Sequence, residues 1–98
     1  MPDTQMMLGY VKNALRITSD ELDDEVQNTI DACVLDLSLA GIDPSKIVAT
    51  DALAQLAVST FAKIHFGFDN PEAERFQESY DSFKRSMALN SKYRKAVT

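Results

Sequence analysis

The residues here with the most chemical potential are a run of five carboxylates, a lone histidine, a lone cysteine and a group of cations near the C-terminus. Asp20, Glu21, Asp23, Asp24 and Glu25 have the density of a cation-binding segment. They lack the spacing, central glycine and closing glutamate of a calcium-binding helix–loop–helix. Acids in such a run do suit the positive end of a helix dipole, and that is the role read for them. His65 has neither a second histidine nor a cysteine pair to complete a metal site, and it falls at a helix end that its charge would favour. Cys33 lies on an apolar stripe, which suits a small buried hydrophobe, and one cysteine leaves no internal disulfide. A reducing compartment fits best. No nucleophile elbow, paired-carboxylate spacing or glycine-rich phosphate loop occurs. These residues point away from an enzyme, and no catalytic residue, cofactor or metal is expected.

Charge is distributed unevenly. The chain has fifteen acidic and ten basic residues, a net charge of −5, which argues against a general nucleic-acid binder. No acid follows Asp81, whereas Lys84, Arg85, Lys92, Arg94 and Lys95 all do, so residues 82–98 are net +5 and residues 1–81 net −10. Lys84 and Arg85 can complement a helix C-terminus. Lys92, Tyr93, Arg94 and Lys95 lie beyond that helix and have three possible uses: a solvated tail, a phosphate contact, or an arm docking on an acidic neighbour. Tyr93 among the cations favours docking, for instance on the Asp20, Asp23 and Asp24 surface of a second copy.

The elements that must position these groups are helices. Ninety-eight residues with 45% hydrophobic content suit one domain with one core. Thr4 is placed to cap a first helix running to about Leu15, with Met7, Leu8, Val11, Ala14 and Leu15 at helical spacing and Tyr10 to one side. Thr18 and Glu21 fit a capping box for the second helix, with Ile17 and Leu22 as a hydrophobic staple. Leu22, Val26, Ile30, Cys33, Val34 and Leu37 form its stripe and Gly41 its stop. Leu35 and Leu39 fall on a second face, which places this helix at the bundle centre or leaves a flank for a partner.

After a loop carrying Pro44, Thr50 or Asp51 caps a third helix whose inward stripe reads Leu53, Leu56, Ala57, Thr60, Phe61 and Ile64, with Val58 to one side. It runs into a corner, Phe66-Gly67-Phe68-Asp69-Asn70-Pro71, in which Gly67 stops one helix and Asn70 and Pro71 start the next. The aromatic residues Phe66, Phe68 and Phe76 are read as setting the angle between the last two helices. Ala73, Phe76, Tyr80, Phe83 and Met87 give the fourth helix its buried stripe. The expected architecture is an all-α compact bundle of four helices over residues 1–90, followed by a short basic C-terminal tail over residues 91–98, mobile unless a partner orders it. No membrane-spanning stretch and no secretory signal is expected.

Three segments carry a resemblance: Leu15-Arg16-Ile17-Thr18 with Asp23-Asp24-Glu25-Val26, then Ala40-Gly41-Ile42, then Phe66 to Phe76 followed by Tyr80 and Ser91-Lys92-Tyr93. Together the chain resembles the small head–tail connector proteins of tailed double-stranded-DNA phages, over nearly its whole length. That resemblance implies a structural subunit that forms a ring beneath the portal, extends the DNA channel and docks later head-completion or tail proteins. It implies a virion head–tail junction location, with the host cytoplasm as the site of assembly, and no catalytic residues. DNA would pass through the channel without sequence-specific binding. The alternative is a small helical adaptor or regulator that binds one protein partner through the Leu35 and Leu39 flank.

Overall fold

Helix α1 spans Pro2–Leu15, α2 Asp23–Leu39, α3 Ala52–Phe66 and α4 Ala73–Leu89, with a single 3-10 turn over Pro44–Lys46 between α2 and α3. The computed structural model describes residues 2–66 and 72–95. The expected four-helix all-α architecture is the one found, and no strand occurs among the described residues. The molecule measures 43 × 32 × 19 Å. Its shortest dimension is about two helix diameters, so each helix keeps an outward face.

The centre is α3, which packs against α1, α2 and α4. Its buried residues are small: Ala54, Ala57, Val58, Ser59, Thr60 and Ala62. This corrects the predicted stripe, because Leu56 is 45% exposed while Val58 is fully buried. Periodicity selects the largest apolar side chains, but a helix covered on three sides buries the small ones that let its neighbours approach. Around α3 the core is built from Met7 and Val11 of α1, Val26, Ile30, Cys33 and Leu37 of α2, and Tyr80 and Met87 of α4. Tyr10 is half-buried and also packs against this core.

Helices α1 and α2 end in the same way. In α2 the Gly41 N–H donates to Ser38 O at 3.0 Å and the Ile42 N–H to Leu37 O at 3.1 Å, around Gly41 at φ +96°. In α1 the Arg16 N–H donates to Asn13 O at 3.1 Å and the Ile17 N–H to Lys12 O at 2.9 Å, around Arg16 at φ +61°. Each end gives hydrogen-bond donors to two carbonyls of the last helical turn. A Cβ added at Gly41 would meet no atom within 4 Å, so substitution there acts through the backbone alone. Gly41→Ala is expected to lose about 1 kcal/mol, and Arg16→Gly to gain a fraction of that, since only glycine takes positive φ without a penalty. Thermal melts of the two variants should shift in opposite directions.

Two predicted helix starts are corrected. Helix α1 begins at Pro2, so Thr4 lies inside its first turn; a proline fits that position because its missing N–H has no partner there anyway. Helix α2 begins without its capping box: Leu22 holds the N-cap position with no side-chain cap, and at 36% exposure it is not stapled into the core. At α3 the alternative resolves to Asp51, whose Oδ1 accepts from the Ala54 N–H at 2.9 Å. The Gly67, Phe68, Asn70 and Pro71 corner lies outside the described residues. Of its flanks, Phe66 packs against the core, and Phe76 lies under the Lys63 ammonium at 5.7 Å.

Candidate functional site

The carboxylates at the start of α2 are anchored from α1. Lys12 Nζ lies 3.1 Å from Asp20 Oδ1 and 2.6 Å from Asp23 Oδ1, tying the C-terminal turn of one helix to the first turn of the next. The hydrogen bond and charge of Asp23, aided by Asp20, raise the Lys12 ammonium above its ordinary value against the effect of desolvation. Asp24 and Glu25 remain exposed. Among the described residues no group of three His, Cys, Asp or Glu is placed to hold a metal.

Cys33 is buried, with Sγ 3.8 Å from Tyr80 Oη, and desolvation pushes its thiol up to about 12, which keeps it protonated. His65 is exposed in the last turn of α3 and stacks on Phe61 at 4.3 Å. A different polar cluster joins α2 to α4. The Tyr80 hydroxyl donates to Asp36 Oδ2 at 2.6 Å, and Lys84 Nζ reaches the same oxygen at 3.1 Å. Partial burial pushes the Asp36 carboxyl up, but the Tyr80 hydroxyl and the Lys84 ammonium outweigh it and hold the group below its ordinary value.

The C-terminal segment departs most from expectation. Residues 91–95 fold back on their own domain, which corrects the reading of a mobile tail for that stretch. Asn90 turns the chain by accepting the Lys92 N–H on its side chain and the Tyr93 N–H on its carbonyl. An antiparallel bridge then joins Arg94 to Ile42, with the Asp43 N–H donating to Tyr93 O at 2.7 Å and the Lys95 N–H to Gly41 O at 3.0 Å. Tyr93 is 5% exposed, and its hydroxyl sits 3.0 and 2.9 Å from the two oxygens of Asp51. Lys92 Nζ lies 3.3 Å from Asp51, and Lys95 Nζ donates to Ser38 O at the C-terminal end of α2. Of the four arm residues, Arg94 alone is exposed with its guanidinium outside this set of contacts.

Asp51 therefore holds two elements at once, the first turn of α3 and the C-terminal segment. Burial raises its carboxyl, yet the Ala54 N–H, the Tyr93 hydroxyl and Lys92 hold it below the ordinary 3.8. A carboxyl whose folded value is lowered stabilises the fold above the unfolded value and loses that contribution as pH falls through the folded one. Asp36 and Asp51 share this sign. Stability is therefore expected to hold steady from neutral pH down to about 5 and to fall below about 4. Asp51→Asn should flatten that acid limb in urea titrations at stepped pH.

On the outer side of α2, Leu35 is 61% and Leu39 79% exposed, so the second apolar face is a flank and not the bundle centre. Beside it opens a groove of ≈ 730 Å³ between α2, α1 and the Pro44–Lys46 turn. Buried Met7, Ile30 and Ile47 and half-buried Val34 line it, with Leu35 and Asp31 on the same wall. Sequence reasoning located the leucines and missed the groove, whose far wall comes from α1 and from the turn that follows α2. It also missed Leu89, 77% exposed at the end of α4. Leu89 lies two residues past Met87, roughly 200° around the helix, and that offset is its one sequence signal.

A family model described as "Phage connector protein" matches residues 7–94. The chain belongs to that family. The match runs from buried Met7 of α1 to Arg94, so it reaches into the C-terminal segment that folds back on the helices. No curated protein and no solved structure matches the chain. Among the described residues of this connector protein, no helix is long and apolar enough to cross a membrane.

Proposed function

We propose that this connector protein is a non-enzymatic structural subunit of the phage or prophage head–tail junction, assembling as a ring beneath the portal, extending the DNA channel and docking later head-completion or tail proteins. The observation that carries the reading is the family match over residues 7–94, which takes in most of α1 and the whole of α2, α3 and α4. Two physical features support it. A net charge of −5 disfavours lasting contact with DNA phosphates, so a channel formed by such subunits would let DNA slide. The exposed α2 flank and its groove give the subunit an apolar surface of the kind interfaces use.

Rings require two unlike faces that meet head to tail. The α2 side, with Asp24, Leu35 and Leu39, is one candidate. An arm of Lys92, Tyr93, Arg94 and Lys95 docking on a neighbour would first have to give up the contacts three of these residues make within their own chain. The subunit would work without cofactor or metal, assembling in the host cytoplasm before residing at the virion head–tail junction.

Mass measurement and negative-stain imaging at high concentration, with and without portal protein, test the reading. Closed rings are expected. A strict monomer in every condition would overturn it and favour the single-partner adaptor.

A further inference from the structure

Resting on the ring reading above, we propose that the second face of the interface is the outer side of α4, with Leu89 of one copy seated in the α2 groove of the next and Arg85 set against Asp31. The groove is apolar inside and carries one carboxylate, Asp31, whose only partner within the described chain is the neutral side chain of Gln27 at 2.9 Å. Its complement is an exposed apolar side chain with a cation one turn away. Leu89 is 77% exposed, and Arg85, four residues earlier, is exposed on the same side of α4. Asp31 and Leu35 have that same four-residue spacing on α2, so the charge and the leucine on each helix stand side by side.

The two faces are also suitably placed on the subunit. Asp36 faces Tyr80 and Lys84 of α4, while Asp31 and Leu35 lie roughly 100–140° around α2 from it, so the groove opens away from α4. Leu89 and Arg85 in turn lie opposite buried Tyr80 and Met87, so they point away from α3. A subunit with an acidic groove on one side and a basic, leucine-tipped helix on another can continue from copy to copy, which a self-complementary patch cannot.

The test uses two variants of the full chain at exposed positions, each checked for an unchanged melting curve. Leu89→Asn removes the apolar tip and keeps the groove. Asp31→Arg with Leu35→Arg makes the groove face repel Arg85 and keeps the tip. Each alone should weaken assembly about tenfold or more by analytical ultracentrifugation, the scale set by one desolvated leucine. Mixed in equal amounts, the two should form a heterodimer and nothing larger, because each supplies the face the other lacks. Rings of Leu89→Asn that form as readily as wild type, or a mixture that stays monomeric, would overturn this docking and leave the ring reading standing. A wild type that never assembles would overturn both.

Discussion

Tyr93→Ala is expected to destabilise the domain by about 3–5 kcal/mol, the range for removing a large buried aromatic side chain. For a domain of this size that lowers the melting temperature by more than about 10 °C. It is a large share of the total stability of an ordinary small domain. The loss has several parts. Tyr93 is 5% exposed, so its ring leaves a cavity when removed. Its hydroxyl is the donor that meets both oxygens of Asp51, and Asp51 also holds the first turn of α3 through the Ala54 N–H. With the ring gone, the Arg94–Ile42 bridge and the Asp43 and Lys95 backbone hydrogen bonds lose the anchor that aligns them. Tyr93→Phe keeps the ring and should lose about 1.5–3 kcal/mol, as expected for one hydrogen bond to a charged group. Urea denaturation with tyrosine or circular-dichroism detection measures both. A melting temperature for Tyr93→Ala equal to that of wild type would mean that residues 91–95 do not pack as described.

Tyr80→Ala should cost a similar amount, about 3–5 kcal/mol, through a different part of the molecule. Tyr80 is 2% exposed and joins three helices: its ring meets Phe61 of α3 at 5.1 Å, and its hydroxyl reaches Asp36 and approaches Cys33 of α2. Helices α2 and α4 depend on this cluster for their mutual placement, since each packs mainly on α3. Tyr80→Phe isolates the polar part. It leaves Asp36 with Lys84 alone and should cost about 1.5–3 kcal/mol. In a double-mutant cycle with Asp36→Ala the two losses should be clearly less than additive, because both remove one hydrogen bond. Fully additive losses would show that the hydroxyl and the carboxylate do not interact.

Much of the residue pattern that carried the family resemblance has a structural duty. Gly41 supplies the left-handed residue that ends α2, Tyr80 ties α2 to α4, and Tyr93 ties the C-terminus to α3. Arg16, in the first of the resemblance segments, ends α1 by the same left-handed turn. The motifs of this small domain therefore mark where its helices stop and how they are fastened, and the surfaces open to other molecules lie between them.

The helices themselves were legible in the sequence. Apolar spacings of three and four, Gly41 as a stop and Asp51 as a cap are local signals, and each corresponds to an element or boundary that formed. That Leu35 and Leu39 form a second apolar face was legible too, but whether that face lay at the bundle centre or on a flank was decided by the structure, which exposes both. Tertiary contacts decided the rest. Which side of α3 is buried follows from its covering by three helices, and a single-helix period carries no record of neighbours. The α2 groove is walled by three separate elements, Met7 of α1, the outer face of α2 and the turn and loop at residues 44–48, so the period of a single helix does not reveal it. The fate of Lys92, Tyr93 and Lys95 depended on Asp51, Gly41 and Ser38, some 40 to 57 residues away. A basic tail reads as solvated or partner-seeking until the fold brings Asp51 at the start of α3 and the carbonyls at the end of α2 within its reach; here the chain's own body is the partner that orders residues 91–95.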